Sequence, residues 1–113
     1  MSAEGTILDG VTSTGRGTMD LDEDDGVVAL EVVISDTATV QFEGRVMEDG
    51  SWRQVEAIDM SDPTAAGSTS TSSSGMFQVP VGGLNEIAAN VTSISAGDVT
   101  VRAKSADSAP ASF

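Results

Sequence analysis

The chain has no cysteine, histidine or tyrosine, and its 113 residues include only one tryptophan and three phenylalanines. Each absence removes a class of chemistry. Without thiol or imidazole there is no ordinary zinc site, no disulfide framework, no cysteine nucleophile and no Ser-His-Asp triad. Basic residues are scarce as well: 5 Lys and Arg stand against 18 Asp and Glu, a formal net charge of −13. A surface this acidic repels phosphate backbones and anionic lipid, so neither nucleic acid nor a membrane is an expected partner. The longest apolar run, Val27 to Ile34, is broken by Glu31 and is far too short to span a bilayer. The opening Met1-Ser2-Ala3-Glu4-Gly5 has neither a basic nor an apolar segment, so no secretory leader is expected. Lack of cysteine suits synthesis in a reducing cytosol. The length predicts one domain.

What is present is alternation. Val28, Leu30, Val32 and Ile34 fall on one face of a predicted strand, with Glu31 on the other near an edge or a partner. Residues 39–46 place Val40, Phe42 and Val46 inward and Gln41, Glu43 and Arg45 outward. Glu48-Asp49-Gly50-Ser51 is a hairpin signal, because Asp-Gly readily takes the positive φ of a tight turn. Residues 52–60 are then expected to return as the partner strand. Phe77, Val79 and Val81 alternate around Pro80, which suits an edge or an exposed side. Residues 84–94 fit either period, and β-branched Val91, Thr92 and Ile94 favour a strand. Val99, Val101 and Ala103 define a last inward row. Short strands between regular turns predict an all-β fold, an antiparallel β-sandwich or jelly-roll-like barrel.

The domain is expected over residues 18–105, beginning with a strand at 18–21. Residues 1–17 read as an extended N-terminal arm, 61–75 as a flexible Ser/Thr-rich loop with room for a short edge strand, and 106–113 as a tail. Gly15 and Gly17 would permit close backbone approach of the arm.

Few residues suggest chemistry. Asp20, Asp22 and Asp24 alternate like calcium ligands, with Glu31 at the twelfth position, but Asp25 stands where a calcium loop needs glycine. They are weak metal candidates, and a solvated acidic turn is the plainer reading. Glu43 and Glu56 could face one another across the hairpin, but carboxylate pairs are common in so acidic a chain. No enzyme and no cofactor is expected. Trp52 could stack on a sugar, although a single tryptophan after a turn is more often a packing or rim anchor. Ile7, Leu8, Arg16 and Phe113 complete the candidate interaction residues.

The order of motifs resembles small β-sandwich structural proteins of tailed-phage virions, of the head decoration, cement or head-fibre kind. The resemblance rests on Ala38-Thr39-Val40-Gln41-Phe42-Glu43-Gly44, Gly50-Ser51-Trp52 with Val55, Gly75-Met76-Phe77-Gln78-Val79-Pro80-Val81, Gly83-Leu84 and Gly97-Asp98-Val99-Thr100-Val101. It covers about two-thirds of the chain. Such proteins usually carry Arg in the strand where Ala88 and Asn90 stand here. The resemblance implies a head-surface decoration protein that binds the major capsid protein and itself, as a homotrimer, with Arg16 as an anchor to acidic shell groups. A tail, adaptor or fibre-base component is the alternative, and a sugar- or calcium-binding module the third reading.

Overall fold

Period-two alternation with valine and isoleucine inward gives strands that can be stable only when two such faces cover each other. That is the architecture of the computed structural model, which describes residues 4–22 and 24–106. These residues form β1 (Glu4–Val11), β2 (Gly15–Asp20), β3 (Val27–Ile34), β4 (Thr37–Arg45), β5 (Arg53–Gln54), β6 (Ile58–Asp59), β7 (Ser70–Thr71), β8 (Gly75–Pro80), β9 (Glu86–Ala96) and β10 (Val99–Ala106). The first sheet has the order β1-β10-β3-β8-β6. The second runs β2-β9-β4-β5, with β7 also paired to β4. Every pairing is antiparallel. The expected β-sandwich is the fold.

The core is built from the inward rows that the alternation marks. Val28, Leu30 and Val32 of β3, Phe77 and Val79 of β8, and Val99, Val101 and Ala103 of β10 face Val40 and Phe42 of β4 and Ile87, Ala89 and Val91 of β9. Phe42 and Phe77 meet across the two sheets with ring centroids 5.1 Å apart and planes tilted by 49°. Residues 84–94 resolve their double periodicity as strand, because β9 lies between β2 and β4 with its inward side chains fully buried.

Two expectations need correction. Residues 4–17 are not a free arm: β1 pairs with β10 from Glu4↔Lys104 to Val11↔Val99, and β2 pairs with β9 from Gly15↔Val91 to Asp20↔Glu86. Adjacent Ile7 and Leu8 broke the apparent alternation, but the register shift between Thr6 and Leu8 absorbs one residue. Leu8 therefore enters the core while Ile7 is half-buried against it. Leu8 is thus a packing residue, not an anchor for a neighbour, and Phe113 lies outside the described residues. Residues 52–60 are also not one return strand. β5 pairs with β4 at Gln54↔Glu43, whereas β6 pairs with β8 in the opposite sheet at Ile58↔Gln78. Between them Ala57 forms a bridge to Ser68 and is buried, so this segment crosses from one layer to the other. The Ser/Thr-rich stretch contributes β7, the short edge strand for which its composition left room.

Close approach of β1 and β2 depends on Gly17. A Cβ built there would lie 1.9 Å from the Ile7 carbonyl oxygen, a backbone atom that cannot swing aside. Gly17→Ala is expected to lower unfolding stability by about 1–3 kcal/mol or more, through forced separation of the strands. Gly5→Ala, where a Cβ meets nothing within 4 Å, should stay within roughly 0.5 kcal/mol of the parent. Urea denaturation of the two variants checks the contrast.

Candidate functional site

The outer face of the second sheet carries polar residues at alternate positions of three neighbouring strands, and register sets which of them meet. One row is Arg16, Asn90 and Gln41; the next is Thr18, Ala88, Glu43 and Gln54; the third is Asp20, Glu86 and Arg45. Alternation suggests that such residues are solvated, yet Glu43 and Glu86 are only 4% and 6% exposed. Burying a charge costs several kcal/mol unless it is closely partnered. Here it is. The Arg16 Nε–H donates to Glu43 Oε1 at 2.6 Å, and Gln41 and Asn90 amides donate to Glu43 Oε2 at 2.6 and 3.1 Å. Gln54 extends the chain by donating to Gln41 Oε1 at 3.1 Å. The Arg45 Nε–H donates to Glu86 Oε1 at 2.7 Å, with the Nη2 group of the same guanidinium as a second donor.

Trp52 closes this face. Its ring centroid lies 5.1 Å from the Arg16 guanidinium carbon and 4.6 Å from that of Arg45, two cation–π contacts on one indole. The two arginines stand in the rows on either side of Ala88, so the ring that reaches both lies across the Ala88 row. Ala88 belongs to no part of the inter-sheet core and is nonetheless fully buried. A small side chain there leaves space for the indole.

Of the sequence candidates, the fold therefore brings Arg16 and Trp52 together. It also changes their roles. The Arg16 guanidinium is engaged by Glu43 and Trp52, with its side chain 36% exposed. The ring of Trp52 is occupied by the chain's own cations. Glu43 stands opposite Gln54 and Ala88 rather than Glu56, which is exposed. Glu86 and Arg45 were missed as site residues, and Glu43 was given the wrong partner; the available signal was charge at outward strand positions near a single tryptophan.

The acidic run does not converge on a cation. Among the described residues no group of three or more Asp or Glu is placed to hold a metal, so Asp20, Asp22 and Asp24 do not form a ligand set. The buried member is Asp25, whose Oδ2 accepts from the Asp22 N–H at 2.8 Å while its own N–H donates to the Asp22 carbonyl at 3.1 Å. It fastens the turn between β2 and β3.

Comparison with known proteins adds the lineage. The family described as XepA matches residues 3–105. The chain belongs to the XepA family. Two solved structures share its fold. SPBc2 prophage-derived protein YomS superposes with a TM-score of 0.81 at 18% identity, over 93% of this chain and 92% of that one. PBSX exported protein XepA gives a TM-score of 0.83 at 18% identity, over 93% of this chain and 37% of that one. This XepA-family chain thus spans nearly all of YomS and little more than a third of XepA. No curated protein matches it.

The electrostatics of Glu43 yield a pH dependence. Burial pushes its carboxyl up, but hydrogen bonds from Arg16, Asn90 and Gln41, with the Arg16 charge, more than offset this and hold it below the ordinary value of 4.5. A depressed folded value means that Glu43 adds stability above the ordinary carboxylate range and that this is lost as pH falls through the lowered value. Unfolding stability, followed by Trp52 fluorescence, is expected to decline between about pH 5 and 3, and Glu43→Gln should flatten that decline. An equal acid response in the variant would count against this assignment.

Proposed function

We propose that this chain is a phage-derived structural protein that acts in many copies, by binding a surface rather than by catalysis. The observation that carries this reading is the match to the XepA family over residues 3–105, together with the shared fold of a prophage-derived protein. The site geometry supports it: Arg16, Arg45, Glu43 and Glu86 are spent on one another and on Trp52, so the network stiffens a surface. High net negative charge keeps unassembled copies apart and soluble. Weak single contacts become secure when many copies engage a repeating lattice. In its finer form, the proposal is a decoration or cement protein on the outside of the head shell, held by the major capsid protein as a homo-oligomer. The alternative within the virion is a tail or adaptor component.

A second reading is favoured by the likeness to PBSX exported protein XepA. In that reading the chain is exported and acts away from the particle. Quantitative mass spectrometry of purified particles and of the cell-free culture fluid separates the cases. The head reading expects on the order of hundreds of copies per particle, as a symmetric shell provides. A count near a dozen replaces it with the tail reading. Chain in the culture fluid and none on particles overturns both in favour of export.

A further inference from the structure

The inner faces of a sandwich carry the apolar half of each strand's alternation. Two short edge strands of this molecule break that rule. Asp59 of β6 is paired with Phe77, a core residue of β8, and Thr71 of β7 is paired with Val40, a core residue of β4. Directly paired residues share a face of their sheet, so Asp59 and Thr71 both turn toward the space between the layers, one from each sheet. The chain crosses from layer to layer at this edge, held by the Ala57–Ser68 bridge. Here the layers leave a pocket of about 270 Å³, lined by Asp59, Asp62, Ser68, Ser70, Thr71 and Phe77 among others.

The lining defines what fits. Ser61 donates to Asp59 Oδ1 from its hydroxyl at 2.7 Å and its N–H at 2.9 Å, and the Thr64 hydroxyl donates to Asp62 Oδ1 at 2.9 Å. The Ser61 hydroxyl and N–H hold the Asp59 carboxyl below its ordinary value of 3.8, so it is an acceptor throughout the neutral range. Each carboxylate keeps its Oδ2 for a ligand. Beside them stand serine and threonine hydroxyls, which both donate and accept, and the apolar ring of Phe77. Among the described residues no group of three or more carboxylates is placed to hold a metal. An anion would meet two carboxylates in a chain of net charge −13. An ammonium group brings donors alone and leaves the serine O–H donors unserved. A sugar hydroxyl donates to carboxylates and accepts from hydroxyls, and the C–H groups of its ring suit the apolar wall. The volume is just under the roughly 300–1,000 Å³ of pockets for drug-sized ligands, which is room for a single ring.

We propose that this edge pocket is a binding site for a neutral saccharide, which seats one ring there with Asp59 and Asp62 accepting from its hydroxyls. The site stands apart from the multi-copy reading above, which particle counting tests on its own, and it gives the Ser/Thr-rich stretch a task.

A heteronuclear NMR titration of the full chain with glucose, galactose, mannose and N-acetylglucosamine, each to about 50 mM, tests it down to millimolar affinity. The expected result is saturable shifts from at least one sugar, centred on residues 57–62 and 68–77. Glucuronate, which carries a carboxylate, should not bind. Asp59→Asn is expected to weaken binding roughly tenfold by removing a charged acceptor. Ala66→Phe, at an exposed position lining the pocket, should abolish it by filling the space, with an otherwise parent-like spectrum showing that the sandwich is folded. Val46→Glu, at an exposed site on the turn after β4, should bind as the parent does. No saturable shift with any of the four sugars, shifts centred on Trp52, glucuronate bound as tightly as a neutral sugar, or folded Asp59 and Ala66 variants that bind like the parent overturns the proposal.

Discussion

Two carboxylates, Glu43 and Glu86, are held out of water on a sheet face that faces away from the core, and a buried charge persists only beside close partners. Their partners are fixed by register. Arg16 comes from β2, Asn90 from β9, Gln41 and Arg45 from β4, so four side chains converge only when three strands are paired without a slip. A shift of one residue would turn every one of them into the core. The ionic network therefore acts as a specificity device for strand pairing, and Trp52 seals it by covering two of its cations.

The two outer faces of the sandwich are consequently different surfaces. On the second sheet, charge is internalised and tied down, and an indole covers what would be open polar ground. On the first sheet, apolar side chains remain uncovered and charges balance without burial; Arg102 reaches Glu31 at 3.2 Å with both side chains well exposed. One face is finished as part of the monomer and the other is left available.

Much of the fold was legible in the sequence. β3, β4, β8 and β10 followed alternation, except that Val46, expected inward, lies beyond the end of β4 and is 66% exposed; β-branched residues decided β9 correctly. What was illegible had local causes. Ile7 falls inside the register shift between Thr6 and Leu8, which hides a period of two, and the glycines that let β1 and β2 approach read equally well as a loose arm. The segment after Trp52 serves both sheets, so neither half holds enough residues for a pattern. The site was the least legible part. Arg16 and Glu43 are 27 positions apart and Arg45 and Glu86 are 41 apart, and no spacing rule joins residues that only strand order brings together. Outward polar positions also look alike whether water or an indole covers them.

The pairing of Glu4 with Lys104 carries a consequence of another kind. The first and last described strands lie side by side and antiparallel, so the polypeptide enters and leaves the sandwich at the same pole. Such a unit can be spliced into a loop of another domain without disturbing either layer. A domain with ends at opposite poles would instead sit between its neighbours as a bead on a string.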